Sequence, residues 1–365
     1  MHHMTPTGLS DTKLRLGFVP LTDCAPLVMA KELGFFAKHG LDVHLRREIG
    51  WATVRDKIVY GELDAAHALA VMPFAASLGL GSLSCPCVTG VVLNAQGNAI
   101  TLSRDLWERG VRDARSLRRV IERAGGERVY TFGTVFPHSS HTFLLRDWLA
   151  SAGINPDKDV RIVVVPPPGM FSNLKAGNLD GYCAGEPWNT LAVQAGIGWC
   201  PATSATLAPG HPEKVLMVRR DFAVNRPEEH TRLVAAILEA AAWCDQPENR
   251  ELLIATLARR AYVHATPEAL RPALSGVFHS GPNHLPPEAR FVRFSGHDVN
   301  EPGADKAAWV LNHLLRTSAV KDRPTQESLR SGVFLTDVYD QALEFLSEHQ
   351  LHETEPQHEP ALQLH

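Results

Sequence analysis

The sequence predicts an α/β protein made of two similar lobes that enclose a small cleft. Two observations carry this prediction. The chain opens on a β-loop-α-β pattern, and the stretch "LDVHLRREIGWATVRDKIVYGELDAAHAL" returns more than a hundred residues later as "KDVRIVVVPPPGMFSNLKAGNLDGYCAGE". Repetition of a supersecondary unit at this spacing marks two structurally related halves.

In the opening unit Leu14, Leu16 and Phe18 alternate as a strand and Pro20 to Pro26 form a loop. Val28, Met29, Leu33 and Phe36 then mark one helical face, Gly40 stops the helix, and Leu41, Val43 and Leu45 alternate again. Strand, helix and strand in this order imply parallel pairing. In the echo, Asp42-Val43 precedes Gly61 by nearly the distance at which Asp159-Val160 precedes Gly177, and both glycines open a G-x-L-D-(A/G) phrase. Each copy reads as strand, loop, short helix ending at Gly, and a second strand beginning at Leu-Asp. The preceding helices, "APLVMAKELGFFAKHG" and "SHTFLLRDWLASAG", correspond as well.

Two stretches, "NAQGNAITLSRDLWERGV" and "CPATSATLAPGHPEK", are expected to cross between lobes. The first lobe then comprises residues 12–97 and 206–345, the second residues 98–205, and residues 346–365 form a flexible tail, polar and Pro-containing. From about Pro227 the chain is rich in helical periodicity. Facing α/β lobes line their cleft with loops from the carboxyl ends of strands, where helix N-termini also converge; a small anion suits such a place.

Composition narrows the function classes. At 365 residues with 44% hydrophobic and 21% charged residues, the chain is an ordinary globular protein, long enough for two domains. A formal net charge of -4 argues against a nucleic-acid binder that relies on bulk positive potential, so any anion site must be local. No stretch of about 20 apolar residues offers a membrane span. The start, "MHHMTPTGLSDTKLRLGFVP", lacks the apolar run and small-residue cleavage site of a secretory leader, from which a cytoplasmic location is expected. Six scattered cysteines (Cys24, Cys85, Cys87, Cys183, Cys200, Cys244) suit reduced buried thiols better than a disulfide scaffold.

Catalytic and metal chemistry find little support. Cys85-Pro-Cys87 has no second pair at zinc-ligand spacing, and His138-x-x-His141 has no matching carboxylate or cysteine cluster. There is no G-x-S-x-G elbow and no phosphate-binding G-x-x-x-x-G-K-(S/T) loop. No metal, no cofactor and no enzymatic activity are expected.

What remains are polar or aromatic residues at loop ends. Trp51 opens a helix after the second strand, where it either covers the core or faces a ligand. Gln96 in "LNAQGNAIT" is either a turn residue or an amide donor to an oxyanion. His141 follows Ser139 and Ser140 at a helix start, a place for N-capping or for anion contact. Gly185 follows the echoed strand and lets backbone approach a ligand. Lys214, in "GHPEKVLMV", is the fixed positive charge among them.

Taken together, "GWATVRDKI", "FPHSSHTFLLRDWLASAGINPDKDV", "VVVPPPGMFSNLKAGNLDGYCAGEPWN" and "HPEK" resemble the nitrate- and bicarbonate-binding proteins of ABC-type uptake systems, from about Leu14 to beyond Trp243. The resemblance implies a two-lobed, type II periplasmic-binding-protein fold with the ligand in the interlobe cleft. It places the anion-contacting positions on Trp51, Gln96, His141, Gly185 and Lys214. At the last position the nitrate binders of the family have Lys, whereas the bicarbonate binders have Glu working with calcium. Lys214 therefore implies nitrate or nitrite without metal, and an ammonium is the natural counter-charge for a monovalent anion. With no leader expected, the chain is most similar to cytoplasmic NasS-type nitrate/nitrite sensors. Such a sensor would hold an RNA-binding antiterminator of the NasT type inactive until the anion binds, without touching RNA or a membrane itself. The alternative is the nitrate-binding subunit of an ABC importer.

Overall fold

The computed structural model describes residues 13–282, 291–316 and 332–354. Strands β1 (Leu14–Phe18) and β2 (Val43–Arg47) form where the sequence alternates and pair in parallel, Leu14 opposite Val43; β3 (Ala65–Leu69) lies parallel on the other side of β1. Between β1 and β2 runs α1 (Ala25–Glu32), with Pro26 in its first turn, where a missing N–H is harmless. The single helical face read through Phe36 is in fact interrupted. Gly34, at φ 78°, ends the first helix and starts the short α2 (Phe35–Lys38), because only glycine enters the left-handed region without strain. Helix α3 (Trp51–Val59) connects β2 to β3. After β4 (Cys87–Val88) and β5 (Val92–Gln96) the chain enters the second lobe.

There β6 (Asn98–Ser103), β7 (Tyr130–Thr134), β8 (Val160–Val164), β9 (Gly181–Gly185) and β10 (Gly198–Thr203) form a five-stranded sheet in the order β10-β6-β9-β7-β8. Helix α4 (Ser140–Ser151) joins β7 to β8, and α5 (Met170–Lys175) precedes β9. The chain returns as β11 (Pro212–Arg219), followed by α6 (Pro227–Asp245), β12 (Val292–Arg293), α7 (Ala304–Arg316) and α8 (Thr336–Thr354). The first sheet is seven-stranded, in the order β12-β5-β11-β3-β1-β2 with β4 beside β11.

The sequence echo has a physical basis. Each half builds three parallel strands with the first in the centre, β2-β1-β3 and β8-β7-β9. In each, the Asp of the Leu-Asp phrase ties the third strand to the first. Asp64 Oδ2 accepts from Arg15 N–H at 2.8 Å while Asp64 N–H donates to Arg15 O at 2.9 Å. Asp180 Oδ2 accepts from Thr131 N–H at 2.7 Å while Asp180 N–H donates to Thr131 O at 2.8 Å. An Arg closes each clamp from the side, Arg15 on Asp64 and Arg128 on Asp180. Losing such a carboxylate strands a strand-edge N–H and a guanidinium. Asp64→Ala and Asp180→Ala are each expected to cost about 2 kcal/mol in urea unfolding. A variant as stable as the parent would refute the clamp.

The chain passes between sheets twice. At the first crossing Gln96 (φ 65°) and Gly97 (φ 96°) both sit in the left-handed region, a corner that turns β5 of one sheet into β6 of the other. The second crossing is the segment from Ser204 to His211 between β10 and β11.

The C-terminal reading needs correction. Residues expected as a tail from 346 onward are helical as far as Thr354, because α8 packs along α6 and turns Ala342, Phe345 and Leu346 into the first lobe's core. Residues 355–365 of the expected tail, and the N-terminal residues 1–12, lie outside the described residues.

Candidate functional site

At the interface of the lobes a buried charged cluster gathers around Lys214. Its Nζ lies 2.6 Å from Asp23 Oδ2 and 2.6 Å from Glu213 Oε1, and none of the three side chains is more than 3% exposed. Asp23 comes from the loop after β1, the carboxyl end of a central parallel strand. Each carboxylate also meets an imidazole. His67 Nε2, from β3, lies 3.0 Å from Asp23 Oδ1, and His211 Nε2 lies 3.1 Å from Glu213 Oε2.

Glu213 and Lys214 are adjacent, and on a regular strand adjacent side chains point to opposite faces. They converge here because β11 carries an extra residue. Pro212 pairs with Ala95 and Lys214 with Asn94, so two residues of β11 oppose one step of β5, and the register slips back before Val215. This bulge turns Glu213 toward its neighbour's ammonium, the re-aiming that bulges perform next to sites.

Trp51, at the first position of α3, places its ring 5.4 Å from Lys214 Nζ and 5.3 Å from the His67 ring. Two second-lobe elements complete the enclosure. His141, in the first turn of α4 behind the N-cap Ser139, brings Nε2 to 3.6 Å from Glu213 Oε1. Gly185 ends β9 opposite Asn98; a Cβ there would stand 3.5 Å from both Asn98 Oδ1 and Asp23 Oδ2. Beyond Gly185, Glu186 O accepts from Thr22 N–H at 2.9 Å, joining the lobes directly. From α7, Trp309 packs 5.2 Å from the His211 ring and forms a roof.

Burial and charge set the electrostatics. Removal from water would push the Asp23 and Glu213 carboxyls up, but the Lys214 ammonium overcomes it and holds both below their ordinary range, Glu213 well below. Burial likewise opposes the ammonium, yet the two carboxylates raise Lys214. Burial lowers His67, and lowers His141 to about 4 against the pull of Glu213. Glu186, buried with its Oε2 accepting from Thr190 N–H, is pushed up by burial to about 7. Two carboxylates face one ammonium, so these three groups together carry a formal charge of -1.

Several buried polar atoms at this interface have no hydrogen-bond partner among the described residues: Trp51 Nε1, His67 Nδ1, His141 Nε2, both amide atoms of Asn98, and Glu186 Oε1. Buried polar groups are normally paired, and unpaired ones are costly. Together they make a small polar centre near one ammonium, to which both lobes contribute.

Of the five residues singled out in the sequence, Trp51, His141, Gly185 and Lys214 meet in this cluster. Gln96 sits at the adjoining corner, its N–H donating to His211 O at 3.3 Å and its carbonyl accepting from Asn94 Nδ2 at 3.0 Å. The expectation that Lys214 stands alone as counter-charge is corrected: its charge is already compensated by Asp23 and Glu213. Asp23, His67, Asn98, Glu186, His211 and Glu213 were missed. Signals existed for two of them. Asp23 follows the first strand at its carboxyl end, and His67 stands alone among alanines in "AAHALA". Cys85-Pro-Cys87 and His138 lie outside the cluster, and among the described residues no group of three or more His, Cys, Asp or Glu is arranged to hold a metal ion.

Residues 7–258 match the NMT1-like family. The chain belongs to that family. Among its relatives, the nitrate/nitrite binding protein NrtA of Nostoc sp. PCC 7120 is 33% identical over 328 residues, covering 87% of this chain and 74% of NrtA. The nitrate import ATP-binding protein NrtC of Synechocystis sp. PCC 6803 is 42% identical over 317 residues, covering 86% of this chain and 47% of NrtC. The chain thus spans about half the length of the ATP-binding relatives it matches. The crystal structure of the periplasmic nitrate-binding protein NrtA from Synechocystis PCC 6803 superposes with a TM-score of 0.87 at 30% identity, covering 93% of this chain and 90% of that one. The alkanesulfonate-binding protein SsuA from Xanthomonas axonopodis shares the fold at a TM-score of 0.64 and 15% identity. The two-lobed periplasmic-binding-protein fold expected from the sequence is the observed one.

Proposed function

We propose that this NMT1-like chain binds nitrate or nitrite between its lobes and works as a binding protein, not an enzyme. The observation that carries this is the set of unpartnered polar atoms that both lobes bring to the Lys214 cluster, the donors Trp51 Nε1 and Asn98 Nδ2 with His141 Nε2 beside them. A small planar oxyanion offers several acceptors to such donors, and the kinship with NrtA supports nitrate or nitrite over other anions. Nitrate has four heavy atoms, and at about 1.5 kcal/mol per atom for the best tiny ligands the ceiling is about 6 kcal/mol, a dissociation constant of tens of micromolar. Charge-assisted hydrogen bonds in a dry site tighten this toward the low micromolar range.

Calorimetric titration of the purified chain with sodium nitrate tests the proposal, with sulfate as control. Trp51→Phe removes the indole N–H while keeping an aromatic in a site that is 1% exposed. It is expected to weaken nitrate binding about fivefold to tenfold, the worth of one hydrogen bond. Unchanged affinity would remove Trp51 from the contacts.

For its role, we infer a cytoplasmic sensor that regulates an RNA-binding antiterminator of nitrate assimilation, with lobe closure altering the partner surface. All six cysteines are unpaired, five of them buried, which accords with a reducing compartment, and the net charge of -4 accords with a protein partner in place of RNA. The names of the relatives support the other reading, the nitrate-binding part of an ABC importer. Co-purification separates them. A NasT-type antiterminator retained without nitrate and released by it supports the sensor, and nitrate-dependent binding to a membrane permease supports the importer.

A further inference from the structure

The cluster's charge is the wrong sign for an anionic guest. Lys214 is held by Asp23 and Glu213 at 2.6 Å each, so a monovalent anion entering beside them brings a second uncompensated negative charge into a space closed to water. The repulsion is comparable with everything a four-atom ligand gains by binding. Some other group must supply positive charge when the anion arrives. The structure holds one well placed to do so. His141 is fully buried, comes from the opposite lobe to the carboxylates, and points an unpartnered Nε2 at Glu213 Oε1 from 3.6 Å. Its other nitrogen, Nδ1, has the Ser140 hydroxyl at 3.5 Å.

We propose that the site takes up one proton with each anion, and that the proton resides on His141 Nε2 between Glu213 and the ligand. The inference rests on the anion-binding reading above and specifies how that site is regulated. In the step, solvent supplies a proton to the Nε2 lone pair; no bond to the anion forms, and the site's net charge is unchanged by the pair. The charged and titratable groups facing His141 agree with this. Glu213 and, from farther, Asp23 favour the imidazolium, while Lys214 and His211 oppose it. Without the anion, burial wins and keeps the ring neutral at ordinary pH. With the anion, two negative groups face the ring and the balance reverses. His67 is less suited, because its Nε2 already rests against Asp23 at 3.0 Å on the same lobe as the lysine. Glu186 lies on the lobe of His141 and titrates higher, so it is the group to exclude by experiment.

The consequence is an anion affinity set by pH. Between the ring's free and bound titration points, nitrate binding strengthens about tenfold for each unit the pH falls. The test is nitrate titration calorimetry on the full chain between about pH 5.5 and 8, in buffers of different ionisation enthalpy, which counts protons directly. One proton taken up per nitrate, absent in His141→Gln and retained in Glu186→Gln, is the expected result. Glu213→Gln, which makes the cluster neutral, is expected to bind nitrate without proton uptake and provides the check should His141→Gln fold poorly. Nitrate binding with no proton exchanged and no pH dependence overturns this inference alone. Uptake that persists in His141→Gln, or disappears in Glu186→Gln, overturns the assignment to His141. No nitrate binding at any pH overturns the functional reading on which it stands.

Discussion

Lys214→Glu is expected to abolish nitrate binding and to destabilise the chain by about 4 kcal/mol or more, the cost of leaving buried charge without its partner. In the native cluster one ammonium satisfies Asp23 and Glu213 in a space with almost no solvent exposure. A third carboxylate there would force protonation or rupture the contact between β11 and the loop after β1. Urea unfolding and nitrate titration of the same preparation measure both effects. A companion variant separates them. Lys214→Met combined with Asp23→Asn and Glu213→Gln removes all three charges, and well-packed neutral replacements of buried ion clusters often recover stability. That triple variant is expected to regain most of the lost stability yet not the anion. If Lys214→Glu unfolds at the parent's midpoint, the cluster is not what ties the loop after β1 to β11.

The second large effect concerns Glu186. Its carboxyl is raised from 4.5 to about 7 because burial disfavours the charged form. An acid raised on folding is held more tightly by the native state, so its contribution is fully present below the unfolded value and is lost as pH climbs to the folded one. A shift of this size corresponds to about 3 kcal/mol lost between about pH 4.5 and 7. Glu186→Gln keeps an oxygen for Thr190 N–H and cannot ionise. Its stability advantage over the parent is expected to be small near pH 5 and to reach about 3 kcal/mol by pH 8 in urea unfolding. Parallel pH profiles for the two proteins would sink the prediction.

These expectations mark what the sequence could and could not reveal. The two-lobed plan was legible because the same parallel unit appears twice, and its third strand is preceded each time by an Asp that clamps the first, Asp64 on Arg15 and Asp180 on Thr131. The positions of Trp51, His141 and Gly185 were legible because each stands at the end of a strand or the start of a helix, where an α/β lobe presents residues to a cleft. The break at Gly34 was hidden by apolar residues that continue the helical face past it, and the end of α8 by polar residues that share a helix with Phe345 and Leu346. Asn98 gave no signal at all. Its place beside Gly185 depends on the corner at Gln96 and Gly97, which moves the chain to a new sheet within two residues.

Glu213 was missed for a different reason, and that reason reaches beyond this chain. Strict alternation sends Glu213 away from any site that contains Lys214, and only the extra residue in β11 brings it back. Side-chain identities therefore do not suffice to transplant this pocket. Grafting Trp51, His141, Lys214 and Asp23 onto a scaffold with a regular strand would deliver the ammonium without its second carboxylate and leave the graft neutral where the native cluster carries -1. What has to be copied is a stretch of backbone whose register shifts against its neighbour and then returns.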